Sequence, residues 1–261
     1  MDHEHTYGQR PRRRGRKVLI GFAVLLLVLV GLLAVADRVA ASVAERTIAG
    51  EVRKQVAQQG AQSSPPEVEV GGFPFLNQVI EGRYERISIR MRDVRGSVQG
   101  DAVTLPSLNM DARNVRASLD TLRSGRGDVV AETVNGTGTI SYQSLAALLD
   151  REGLTLGERD GKLAVTAPVD ILGQRVTVTG TADIVVGEQG QIALRFDNLD
   201  AEGLPNAPLA RTLLNNFARS ISVDVPMPEL PLQLTVREVR PQPEGLTVTA
   251  DARDVPINSV G

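Results

Sequence analysis

The 261-residue chain contains no Cys and no Trp, and its two His residues, His3 and His5, both lie in the first five positions. Beyond residue 5 there is no imidazole or thiol to act as base, nucleophile or metal ligand. Ser-His-Asp triads, Cys-His dyads, zinc fingers and His-ligated catalytic zinc are therefore excluded for the body of the chain. Without cysteine the fold cannot rely on disulfides, so an apolar core has to stabilise it. Lysine is scarce as well: Lys17, Lys54 and Lys162 are three of 29 cations, and the other 26 are arginine. Glu51 and Arg159 stand three residues before Lys54 and Lys162, so no Ser-x-x-Lys pair exists in the body. Aromatics are few, with only Phe73, Phe75, Tyr84, Tyr142, Phe196 and Phe217 after residue 36.

What is present begins with charge. Residues 10–17 hold six cations in eight positions, and Val18 to Ala36 follow as nineteen uncharged residues rich in Leu and Val. A helix of that length spans roughly 28 Å, close to the hydrocarbon thickness of a bilayer. Cations before it and Asp37-Arg38 after it predict a cytoplasmic N-terminus and an exported remainder by the positive-inside rule. The competing reading is a cleaved signal peptide, since Ala34-Val35-Ala36 fits an A-x-A site, but a signal core is usually about 7 to 15 residues long. The retained anchor is favoured, and it divides the chain into a basic tail (1–17), a membrane anchor (18–36) and an exported domain (37–261). Asp2 and Glu4 against six cations give the tail a net charge of +4, so the whole-chain −2 leaves −6 for the rest. An acidic body is poorly suited to neutralising nucleic-acid phosphates, and no nucleic-acid partner is expected.

In the exported part, Val39, Val43, Ile48, Val52 and Val56 recur at helical spacing and predict an amphipathic helix over 37–60, continuous with the anchor. From residue 67 strand patterns dominate. Val176, Val178, Gly180, Ala182, Ile184 and Val186 alternate with Arg175, Thr177, Thr179, Thr181 and Asp183, as in a half-buried antiparallel strand. With its neighbours this predicts a three-stranded meander over 162–197. Ile87, Ile89 and Met91 predict an earlier strand, segments 103–119 and 129–140 are strand-like, and 232–236 pairs with 246–250 across the Pro241-to-Gly245 turn. Short helices are predicted over 141–151, with Ser141 as cap, and over 206–220. The sum is an α+β fold with a curved, mostly antiparallel sheet and a long N-terminal helix, preceded by one transmembrane helix. Its many apolar strand faces suit either a closed core or a groove that an acyl chain fills.

Gly71-Gly72-Phe73-Pro74-Phe75-Leu76-Asn77-Gln78 concentrates two of the six aromatics at a bend. It reads as a structural corner whose rings fill the core, or as the lip of an apolar groove. Arg83, Arg86, Arg90, Arg92 and Arg95 read as a solvated face, with a contact to an anionic headgroup as the alternative. Gly136-Thr137-Gly138-Thr139 lacks the context of a dinucleotide fingerprint and reads as a bulge or turn. The acidic pairs at 197–200 and 251–254 are too sparse for a calcium loop.

The run Gly-Phe-Pro-Phe-Leu-x-Gln, followed by Gly82-Arg83-Tyr84 and Ile87-Ser88-Ile89, resembles the signature of the actinobacterial LmeA-like family. So do Leu230-Pro231-Leu232, Glu244-Gly245-Leu246-Thr247-Val248 and Ala252-Arg253-Asp254-Val255. The resemblance covers roughly residues 37–257. Asn77 stands where Thr or Ser is more usual in that family. The resemblance implies an exported phospholipid-binding domain similar to tubular lipid-binding (TULIP) folds, serving envelope lipid or lipoglycan maintenance, with no catalytic residues.

The leading expectation is therefore a non-catalytic envelope protein at the cytoplasmic membrane that holds phospholipid in an apolar groove. It needs no cofactor and no metal. Phe73, Phe75 and Leu76 are the candidate groove residues, and Arg90 and Arg92 the possible headgroup contacts. The alternatives are an envelope adaptor without ligand and a glycosidase using two facing carboxylates.

Overall fold

The computed structural model describes residues 13–98, 100–118, 120–121, 128–149, 153–171, 174–187, 192–201, 212, 223–225 and 234–257. Helix α1, Arg13–Gln58, runs unbroken for 46 residues, so the expected helix over 37–60 is the upper part of the same rod. Its length is about 69 Å at 1.5 Å per residue. None of its most apolar 18-residue window is buried in the protein, and the window is apolar enough to cross a membrane.

The face that α1 turns to the domain differs from the expected one. Asp37 and Ala41 are buried, and Ala40, Ala44 and Ile48 pack on the same core, whereas Val39 and Val43 are exposed. Small alanines let the helix backbone approach the sheet closely, a constraint stronger than valine spacing. The exposed valines continue the apolar surface of the lower helix, with Val35, Val39 and Val43 one turn apart on a single stripe.

Strands β1 (Glu67–Gly71), β2 (Arg83–Val98), β3 (Asp101–Arg116), β4 (Val130–Ile140), β5 (Thr155–Arg159), β6 (Lys162–Ile171), β7 (Gln174–Val186), β8 (Ile192–Ala201), β9 (Val223–Val225), β10 (Thr235–Gln242) and β11 (Gly245–Pro256) follow. Helix α2 (Phe75–Glu81) lies between β1 and β2, and α3 (Tyr142–Leu148) follows β4. The expected curved sheet is resolved into two open antiparallel sheets, ordered β1-β2-β3-β4-β11-β10 and β5-β6-β7-β8-β9. The predicted meander is β6-β7-β8, and the predicted C-terminal hairpin is β10-β11. Alternation along β7 holds: Val176, Val178 and Ala182 are buried while Arg175, Thr177 and Asp183 are exposed. Ser141 caps α3 as expected, its side chain accepting the Ser144 amide. The helix predicted over 206–220 lies outside the described residues except for Thr212.

The six-stranded sheet is two-sided. Ser88, Arg90 and Arg92 on β2 share its outer face with Asp111, Asn109 and Ser107 on β3, and with Asn135, Thr137 and Thr139 on β4. The inner face is apolar, and α1 lies along its β1 edge. There the Glu45 carboxylate accepts the Val70 amide at 3.0 Å, occupying a donor that an edge strand would otherwise expose.

A crease crosses this sheet. Tyr84, Val115, Ala131 and Val255 form one inward row, and Ile87, Ala112, Val134 and Ala252 form the next. Within each strand the two rows are three residues apart, where straight alternation would give two or four. Asn114 and Asp254, lying between them, take φ of 48° and 50°. Asn and Asp tolerate this left-handed conformation better than most residues, and one such residue reverses which side the following side chains face. The phase change lets both rows close the core beneath α1.

Candidate functional site

Beyond the crease, the inner face continues as two rungs. Val68, Ile89, Met110, Gly136, Ala250 and Val236 lie side by side across six strands. Met91, Leu108, Gly138, Val248 and Val239 make the second rung across five. From β2 to β10 each rung covers about 19 Å at the usual strand spacing. Ile89, Met91, Leu108, Met110 and Val248 are only half-buried, whereas Tyr84, Ala112, Val115, Ala131, Val134 and Val255 of the core are buried. Both rungs have glycine at their centre. Gly136 and Gly138 lie within regularly paired β4, so the bulge or turn expected of Gly-Thr-Gly-Thr is not what forms. A side chain at Gly136 would first meet Leu234 at 3.9 Å, and one at Gly138 would meet Leu108 at 3.4 Å. Leu234 and Leu108 thus lie at van der Waals distance over the glycines, which lower the floor of this otherwise aliphatic stretch, the trough.

At its far side this surface reaches the second sheet. Val236, Val239 and Ala250 form a cluster with Ile184, Val186 and Ile192, and Leu234 packs against both this cluster and the one beneath α1. Helix α3 packs against β3 of this sheet and β5 of the other. Its Ser144 hydroxyl accepts the Thr104 amide of β3 at 2.8 Å, and its Tyr142 hydroxyl donates to the Gln242 carbonyl of β10 at 2.8 Å, both within the six-stranded sheet. Behind the trough, on the outer face, the Ser107, Thr139 and Thr247 hydroxyls bond in series across three strands. The trough thus has an apolar lining and a hydrogen-bonded back.

The Gly-Phe-Pro-Phe-Leu segment lies at the other end, against α1. Phe75 is buried, with its ring centroid 6.4 Å from that of Tyr84. Phe73 is 62% exposed and Leu76 41%. The three residues therefore do not line one surface: Phe75 fills the core, while Phe73 and Leu76 face outward. The Arg38 guanidinium lies over the Phe73 ring at 5.2 Å and donates to the Gly72 carbonyl at 2.9 Å. The neighbouring Asp37 carboxylate accepts the Leu76 amide at 2.8 Å and pairs with Arg38. Buried Gln78 donates to the Gly71 carbonyl at 3.1 Å and accepts the Glu85 amide at 2.9 Å, linking the end of β1 to the start of β2. Gly72, at φ 92°, has no room for a side chain, because a Cβ would come within 2.5 Å of Gln78 Nε2.

Arg90 and Arg92 stand on the outer face, opposite the trough, and pair with Glu69 and Glu67 at 3.6 and 3.2 Å. Nearby, the Ser88 hydroxyl donates to Asp111 at 2.6 Å and Arg86 pairs with the same carboxylate at 2.9 Å. The Ser88 bond and the Arg86 charge outweigh partial burial and hold the Asp111 carboxyl below its ordinary value. The Tyr84 hydroxyl is buried without a hydrogen-bond partner among the described residues, and burial raises its pKa. Among the described residues no three His, Cys, Asp or Glu side chains come together as a metal site.

Of the residues that organise this region, the sequence marks Asp37 only as a charge flanking the apolar stretch, Gln78 only as part of the Phe-Pro-Phe run, and Gly136 only as part of an expected bulge or turn.

Compared with known proteins, the chain matches neither a curated protein nor a solved structure. A family model described as LmeA-like phospholipid-binding matches residues 35–251.

Proposed function

Because the chain belongs to the LmeA-like phospholipid-binding family, we propose that the glycine-floored trough on the inner face of the six-stranded sheet receives phospholipid acyl chains. The observation that carries this reading is the pair of half-buried aliphatic rungs with Gly136 and Gly138 at their centres. A sheet built only for a closed core gains nothing from removing side chains there, since each glycine in a strand costs about 0.5–1 kcal/mol relative to alanine. Sites for apolar ligands are concave and mostly apolar, with few polar groups. The proposed action is extraction, shielding or presentation of lipid without covalent change.

The proposed location follows from α1. Its lower half serves as a membrane anchor with the basic tail inside and the domain outside, where the protein serves the lipids of the cell envelope. Arg90 and Arg92, paired on the opposite face, take no part in the proposed trough.

To test the binding, residues 37–261 are purified, extracted with organic solvent and the extract examined by mass spectrometry. Phospholipid is expected in the extract, together with uptake of labelled phospholipid by the stripped protein. Absence of both would remove the proposal.

A further inference from the structure

Outside α1, six large hydrophobic side chains are exposed among the described residues, and three of them occur together: Phe73, Leu76 and Ile80, the last 83% exposed. Leu76 and Ile80 are one turn apart on α2 and share a face. Phe73 sits two residues before the helix. Surface residues of this size usually occur singly, and a cluster marks an interaction surface.

The position of the cluster identifies what it meets. Asp37 and Arg38, immediately past the apolar stretch of α1, grip Leu76 and Gly72 directly. The cluster is thereby fixed at the height where that stretch ends. Asp37 itself is 2% exposed, so α2 hides the first carboxylate above the apolar stretch. On the opposite side of α1 the exposed apolar stripe does not stop at Asp37 but continues through Val39 to Val43. Six residues of helix rise about 9 Å. The apolar surface of α1 therefore extends beyond the level at which α2 is attached, which places Phe73, Leu76 and Ile80 inside the same apolar zone.

We propose that Phe73, Leu76 and Ile80 insert into the surface of the bilayer that α1 spans, seating the domain on lipid. The partner is a phospholipid surface. This rests on the reading of α1 as a membrane anchor. Short amphipathic elements beside an anchor bind in this way, burying apolar side chains at the boundary between headgroups and acyl chains. Arg38 fits the same placement, since its guanidinium, over the Phe73 ring, can stay near the headgroups.

The absence of tryptophan gives a test without background. Single-tryptophan variants Ile80→Trp, Phe73→Trp, Leu27→Trp and Val185→Trp of the full chain are reconstituted into phosphatidylcholine vesicles carrying brominated acyl chains. Leu27 lies in the proposed span, and Val185 is an exposed position on β7 in the other sheet. Tryptophan at positions 80 and 73 is expected to shift to shorter emission wavelength and lose intensity to the brominated chains, as at position 27 and unlike position 185. Quenching at 27 without quenching at 73 or 80 overturns this proposal and leaves the anchor standing. No quenching at any position overturns the anchor and this proposal together. A blue shift at 80 that brominated lipid does not quench means that protein covers the patch, and also overturns it.

Discussion

The Asp37 carboxylate accepts the Leu76 amide at 2.8 Å, so the first residue past the apolar stretch of α1 holds the first turn of α2. The contact joins residues 39 apart in sequence and turns a rod and a short helix into one unit. Its neighbour Arg38 completes the clamp through Gly72 and Phe73.

Replacing this carboxylate should loosen the corner. Asp37→Ala leaves the Leu76 amide without its acceptor and should lower the thermal unfolding midpoint by a few degrees. Asp37→Asn keeps an acceptor and should lose less. Circular dichroism melts of the detergent-solubilised full chain would show the order wild type, Asn, Ala. An unchanged midpoint in Asp37→Ala would count against the clamp.

Two buried polar side chains should respond in opposite ways. Gln78→Leu withdraws the partners of the Gly71 carbonyl and the Glu85 amide, and should cost about 2–3 kcal/mol. Tyr84→Phe removes a hydroxyl that has no partner among the described residues, and should be neutral or stabilising by up to about 1 kcal/mol. Urea unfolding of both variants measures the contrast. A marked loss in Tyr84→Phe would mean the hydroxyl is bonded in solution.

Size at position 136 should separate folding from lipid uptake. A Cβ at Gly136 has ordinary clearance, so Gly136→Ala should be stabilising by roughly 0.5–1 kcal/mol. Gly136→Phe would fill the floor of the trough and should weaken uptake of labelled phospholipid by about tenfold or more, equivalent to some 1.4 kcal/mol. Equal uptake by the Phe variant and the wild type, with both folded, would place the lipid elsewhere.

Acid should act partly through Asp111. The Ser88 hydroxyl and the Arg86 charge lower its folded pKa beneath the ordinary value of 3.8. Its contribution is therefore complete above the unfolded value and is lost as pH falls through the lower folded one. Between pH 5 and about pH 2 the wild type should lose more stability than Asp111→Asn, with Ser88→Ala intermediate. Parallel urea midpoints across that range in all three proteins would argue against the linkage.

Much of the fold was legible because it rests on period. The apolar stretch of α1, the alternation along β7 and the Ser141 cap each depend on local spacing, and each forms where spacing places it. The parts that were not legible depend on exceptions to period. Asn114 and Asp254 reverse the phase of their strands, and nothing in a hydrophobic pattern marks a left-handed residue in advance. The domain face of α1 was misassigned because close approach of a helix selects alanine, whereas counting apolar residues selects valine. The trough was missed for a related reason: it is defined by side chains that are absent, and two glycines in a strand look like a break. At the Phe-Pro-Phe corner the residue types were recognised but not their directions, since adjacent aromatics can point into the core or out of the fold.

The unbroken course of α1 also limits where the protein can work. A flexible leash would let the domain roam over a radius set by linker length, exchanging cargo with distant acceptors. A rigid rod clamped to its own domain at Asp37, Arg38 and Glu45 allows little of this. With α1 in the proposed membrane span, the domain would keep one height and one tilt above that membrane. It would serve as a fixed station rather than a ferry, and any onward transfer of lipid would require the recipient to come within a molecular diameter of that station.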